Sequence, residues 1–289
     1  MILANPNAWP SSAHVLALVA WLAAGVALLA YLRASRSVQP LPAAHAAPDA
    51  APAQPVRDRV LLLAWLMHGL LLAFDLTGLR ELQPGPHFGF GSVLSATVWL
   101  VLLVHLMEGL GSPWQTLRQP LALLGLAGVM LALLFPGEYQ ASAANIWAPL
   151  HWLMGVCAYA LVAVAVVHAV LLGRAERALR HGHPPPWLRG MPLLRLERLT
   201  FRFVQAGCAV LALAIVLGAV SGPDWAWTHK TVFSLLSWAV LAVLLLGRWR
   251  QGWRGATARR WLYASALLLL LAYAGSRFVL EVLLGRGPV

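Results

Sequence analysis

Charge is scarce in this chain. Of its 289 residues only 11% are Asp, Glu, Lys or Arg, while 60% are hydrophobic; a soluble domain carries about 25% charged residues. So few polar groups cannot cover a water-facing surface. That excludes a water-soluble globular domain and makes lipid the solvent for most of the chain. Acidic residues are scarcer still, 10 against 21 Lys and Arg, for a net charge of +11. Cysteine is almost absent: Cys157 and Cys208 both lie in apolar segments, and no CxxC or CxxCH occurs. Covalent attachment of haem in the usual way is thereby excluded, and the two thiols read as small buried hydrophobes. No basic residue precedes the first apolar segment, whereas Arg33 and Arg36 follow it. It reads as a membrane anchor with its charges inside, not as a cleaved signal.

What the chain has is long apolar runs. A hydrocarbon core of roughly 30 Å requires about 20 apolar residues in a helix. Eight segments qualify: 13–32, 60–79, 90–110, 120–135, 149–172, 203–220, 230–246 and 261–284, the fourth being short. Between them the basic residues alternate. Segment 33–59 holds four Arg, the loop at Arg118 one, 174–202 seven and 248–260 five. The intervening segments are poor in both Arg and Lys. By the positive-inside rule the arginine-rich loops are cytoplasmic, and an even number of spans puts both termini on the periplasmic side. The expected fold is therefore all-α: a polytopic bundle of about eight transmembrane helices in a bacterial inner membrane. The preference for Arg over Lys, with abundant Ala, Leu and Val, fits a GC-rich bacterial genome. Basic loops beside anionic headgroups explain the high net charge, so no nucleic-acid partner is expected.

The organisation follows from the same pattern. Residues 1–32 form an N-terminal transmembrane helix, and 33–59 an Ala/Pro-rich cytoplasmic loop with too little periodicity to fold. Residues 60–289 form the main transmembrane domain. His181 and His183 sit in a Gly/Pro-rich loop, and two ligands do not complete a metal site. No internal repeat or interrupted helix pair supports a solute transporter, for which His68, Asp75, His105 and His168 would have to line a wet path. No nucleophile–base pair, phosphate loop or metal triad can be assembled, so no enzymatic activity is expected.

Ionisable groups within spans are costly. His68 lies near the middle of the second span, with Asp75 two turns on along the same face. His105 and Glu108 are three apart and can pair, as can Arg277 and Glu281, four apart. His151 and His229 stand at the outer mouths of the fifth and seventh spans, among Trp147, Trp152, Trp225, Trp227 and Trp238. Two readings are open for them: imidazoles that ligate a haem sheltered by flat aromatic surfaces, or an interfacial aromatic belt with incidental histidines.

The second half of the chain carries a resemblance. WAPLHWLMGVCAY (147–159) resembles the helix that follows the outer-loop histidine in cytochrome c assembly proteins of the CcsA type, with His151, Tyr159 and Ala160 filling that pattern. LERLTFRFVQAGCAVLALAIVLGAV (196–220) is similar to the helix leading into that family's tryptophan-rich motif. DWAWTHKTVFSLLSW (224–238) then matches WxWDPKExxxxxxW at Trp225, Trp227, Lys230 and Trp238. Thr228, His229 and Thr231 replace the motif's Asp, Pro and Glu. The segment ending AVLLLGR (242–248) lacks the histidine that the family places just before the basic residue, and FVLEVLLGR (278–286) lacks the second outer histidine. This departure looks most like the HemX/YpjD branch.

The resemblance implies a cytochrome c assembly-like domain and non-covalent, b-type haem handling at the periplasmic face. Under it His151 is an axial ligand, His229 a replacement second ligand, Trp225 and Trp227 a stacking wall, and His68 a holder of haem within the membrane. The partners it implies are the lipid bilayer, haem and other cytochrome c maturation or membrane proteins. The alternative is a haem-free regulatory or scaffold membrane protein that kept the fold after losing ligands.

Overall fold

The computed structural model describes residues 11–36, 54–80, 82, 87–108, 117–139, 147–182, 192–221 and 227–275. Eight helices follow in chain order among them: α1 (Ser11–Ser35), α2 (Gln54–Thr77), α3 (Phe90–Met107), α4 (Arg118–Leu134), α5 (Trp147–Arg180), α6 (Leu193–Ser221), α7 (His229–Gln251) and α8 (Gly255–Leu270). A π-helical turn, Leu271–Gly275, continues α8. Six helices, all but α4 and α8, are long and apolar enough to cross a membrane. The fourth is short, as the sequence indicated, at 17 residues. The chain is an all-α, polytopic membrane protein. A two-residue antiparallel pairing of β1 (His87–Phe88) with β2 (Glu138–Tyr139) is the one departure from helix-only structure among the described residues. The candidate pair Arg277–Glu281, Trp225, His183 and most of segment 33–59 lie outside the described residues.

The chain divides into two compact units, Met1–Tyr139 and Gln140–Val289. In the first, α1 turns an alanine seam inward. Ala13, Ala17, Ala20, Ala24, Ala27, Tyr31 and Ala34 are buried at alternating steps of four and three residues, while Val15, Leu18, Leu22 and Leu29 are exposed. Small residues inside and large apolar ones outside is the arrangement hydrocarbon favours, because lipid solvates Leu as well as protein does and close backbone approach supplies the packing. This seam packs on α2 and α4. Helices α3 and α4 approach so closely that a Cβ on Gly91 would lie 2.2 Å from the Leu131 carbonyl oxygen. Between α2 and α3, Trp65 and Trp99 stack at 4.7 Å, each indole N–H donating to the other's carbonyl at 3.1 and 3.0 Å. Asp75 and Arg80 form a fully buried ion pair, and Arg80 also donates to the Ala132 carbonyl at 3.2 Å and lies over the Trp21 ring.

In the second unit, α5 and α6 pack along Ala158, Val162, Ala165 and Ala169 against Val204, Cys208 and Leu211. Ser237 of α7 and Ser265 of α8, both fully buried, join hydroxyl to hydroxyl at 2.9 Å. Basic residues gather at one end of this unit. There Glu197 pairs with Arg248 and, at 3.4 Å, with Arg254, and Glu176 pairs with Arg259 at 2.7 Å. His151 and His229 begin α5 and α7 at the opposite end, because α5 and α7 each run from a histidine to an arginine cluster.

Candidate functional site

The site is built where the first turns of α5 meet the last turns of α6. His151 is half-buried there, and its Nδ1 lies 2.9 Å from the Ala214 carbonyl oxygen. A carbonyl only accepts, so Nδ1 carries the proton and donates. Nε2 is left with its lone pair, the form of imidazole that binds a metal. The approach depends on Gly218, four residues after Ala214 and so on the same face of α6. A Cβ at 218 would come within 2.8 Å of His151 Cε1 and 3.1 Å of Nδ1. The Lys230 ammonium, from the first turn of α7, is near enough to act on His151 electrostatically and lies 5.6 Å from the Tyr273 ring centroid.

His229 occupies the first helical position of α7 and is exposed. Thr228 is the N-cap: its Oγ1 accepts from the Thr231 backbone N–H and sits 3.2 Å from the Thr231 hydroxyl. The two threonines thus stand at the N-cap and N3 positions of α7, with the N-cap hydroxyl accepting from the N3 backbone N–H. His229 stands where proline is favoured because the N–H there needs no helical partner. This gives a local physical meaning to the Thr-His-Lys-Thr run: it starts a helix. Trp227, just before the cap, is 73% exposed, and Trp147 is exposed at the start of α5. Within this unit the structure brings His151 to α6 and Lys230, and places His229 and Trp227 on the exposed start of α7.

His68 has a different setting. It is completely buried, with Nε2 2.8 Å from the Ser95 hydroxyl and Nδ1 3.2 Å from the Tyr31 hydroxyl. Gly128 of α4 lies over it, where a Cβ would come 3.4 Å from Cε1. Both ring nitrogens are therefore engaged by α1 and α3, and the imidazole ties three helices together. Asp75, expected on the same face of α2 as His68, pairs with Arg80. His168 is buried and stacks flat on Phe203 at 5.2 Å. Among the described residues no group of three His, Cys, Asp or Glu side chains is arranged to hold a metal.

Several partners of these residues were not expected from the sequence. Only Tyr31 carries a signal there: it falls on the alanine seam of α1, where a bulky residue must have a neighbour. Ser95, Ala214 and Gly218 carry no local signal, since their roles come from helices far away in the chain. Tyr159, taken as part of a motif, donates its hydroxyl to the Leu269 carbonyl, where α8 passes into its π-helical turn. Gly247, where the resemblance calls for a histidine, is covered by the Trp253 indole, which a Cβ would meet at 2.4 Å.

Comparison with known proteins gives a family and no structural precedent. The model of the family described as cytochrome C assembly protein matches residues 56–284. An uncharacterized 28.8 kDa protein of Azospirillum brasilense is 36% identical over 152 residues, covering 50% of this chain and 56% of that protein. The inner membrane protein YpjD of Escherichia coli is 28% identical over 205 residues, covering 67% and 74%. The cytochrome c biogenesis protein CcsA of Cyanophora paradoxa is 30% identical over 98 residues, covering 32% and 29%. The match thus spans little more than half of the first relative and less than a third of the CcsA protein. No solved structure matches the chain.

Proposed function

The chain belongs to the cytochrome c assembly protein family, and on that premise we propose that it binds haem non-covalently, as b-type haem, at the periplasmic face of a bacterial inner membrane, in the service of cytochrome c biogenesis. The observation that carries this reading is the bond from His151 Nδ1 to the Ala214 carbonyl. It fixes the tautomer and turns Nε2 into a preset Lewis base, so the donor present fits an iron ligand. The haem, when bound, supplies the redox chemistry of its iron and ring. The chain's own residues would hold it: His151 and His229 would each offer an imidazole nitrogen to the iron, and Trp225 and Trp227 flat apolar faces to the ring. The arginines gathered at the other end of the same unit support an outward-facing His151 through the positive-inside rule. The partners of this reading are lipid, haem and the other proteins of cytochrome c maturation.

A second reading is a haem-free scaffold that kept the fold. Two observations favour it: His68 has both nitrogens occupied by hydroxyls, and Trp253 fills the space beside Gly247. A role for His68 in haem passage requires its ring to release Ser95 or Tyr31 first. An absorption spectrum of detergent-purified protein from haem-sufficient cells separates the readings. Haem binding gives a Soret band that His151→Ala removes; a colourless preparation leaves the scaffold.

A further inference from the structure

We infer that Gly218 is a positioning residue for His151: its missing side chain lets the imidazole lie on α6 and holds Nε2 unprotonated and open. The inference deepens the haem reading and rests on it for its consequence, but its geometry stands by itself.

The Ala214 carbonyl is already part of the α6 ladder, and its second lone pair points off the helix surface. A side chain from another helix can reach that lone pair only if residue 218, one turn on, leaves room. With glycine at 218 the His151 ring comes within 2.8 Å of where a Cβ would be, and Nδ1 reaches the carbonyl at 2.9 Å. A Cβ at 218 would press on the ring edge that carries Cε1 and Nδ1. The ring has to shift away from α6 to relieve that contact, which lengthens the bond to Ala214 and loosens its hold on the tautomer. An imidazole that ligates iron is held by just such a bond on its far nitrogen, and removing that support costs about 10- to 100-fold in metal affinity. Helix stability cannot explain a glycine here, because glycine in a helix interior is a poorer helix former than alanine.

The test uses the full chain, labelled with 15N-histidine and purified in detergent, with Gly218→Ala beside Gly155→Ala. Gly155 lies one turn along α5 from His151, and a Cβ there meets nothing within 4 Å. Two quantities are read: the His151 tautomer by NMR in haem-free protein, its signal identified by its loss in His151→Ala, and haem affinity by Soret titration. The wild type and Gly155→Ala are expected to show an Nδ1-protonated His151, and Gly218→Ala to lose that signature with a 10- to 100-fold weaker affinity. In a His151→Gly background, added imidazole should restore haem binding whether or not 218 is alanine, because an untethered ligand needs no room there. A Gly218→Ala protein with an unchanged tautomer signal overturns the inference, and so does failure of imidazole to rescue the double variant when it rescues His151→Gly. If no variant or wild type takes up haem, the haem reading falls while the tautomer signal still decides the role of Gly218.

Discussion

Tyr31 and His68 meet edge to face, ring centroids 5.8 Å apart, with the phenol hydroxyl 3.2 Å from Nδ1. With Ser95 on the opposite nitrogen, this makes a hydrogen-bonded line across α1, α2 and α3, centred on a fully buried ring. Tyr31→Phe leaves one ring nitrogen buried without its hydroxyl, and should destabilise the fold by about 1–3 kcal/mol. Ser95→Ala should cost a similar amount. Because one imidazole serves both partners, the double variant should depart from additivity. Reversible unfolding in mixed micelles measures all three; additive losses would show that the two bonds do not share a ring.

The Asp75–Arg80 pair is under 3% exposed on either side chain. Removing one partner leaves the other's buried charge without that counter-ion, so Asp75→Ala should cost about 3–5 kcal/mol. Replacing both, as Asp75→Leu with Arg80→Met, should recover most of that loss, because a neutral pair of similar bulk needs no desolvation. The yield of folded protein and the thermal midpoint in detergent report the difference. A double variant as unstable as Asp75→Ala would mean that the Ala132 and Trp21 contacts of Arg80 matter more than its charge balance.

The threonines of α7 give a milder effect. Thr228→Ala removes the N-cap acceptor and should cost about 1 kcal/mol. Thr228→Asp is expected to do no harm, since a carboxylate suits both the cap and the positive end of the helix. Thermal melts of the two variants check this, and equal losses would deny Thr228 its capping role.

At Gly247 the Trp253 ring fills the space a side chain needs. Gly247→Ala should lower the melting midpoint although alanine is the better helix former, and adding Trp253→Ala should relieve the clash. Stabilisation by Gly247→Ala alone would contradict this packing.

Much of the fold was legible in the sequence because lipid leaves little choice: a span must be apolar, helical and about 20 residues long. The ends were less legible. Helix α5 runs on to Arg180, past the expected end at 172, and α6 begins at Leu193, before the expected 203. An apolar window sees only the part in hydrocarbon, whereas Ala, Glu, Leu and Arg extend a helix into water equally well. The site was legible in its residue types and not in its geometry. His151 stood out as a histidine among tryptophans, but the bond that orients it comes from Ala214 on another helix. His68 read as a costly imidazole needing a reason, and the reason is two hydroxyls, one 37 and the other 27 residues away.

The most direct measurement is haem titration of haem-free protein in detergent, with wild type, His151→Ala and His68→Ala side by side, followed by the Soret band. The expected result is saturable binding in the wild type, its loss in His151→Ala, and its retention in His68→Ala together with a lowered melting temperature. Haem binding that survives His151→Ala and disappears with His68→Ala would contradict the placement of the site at the start of α5.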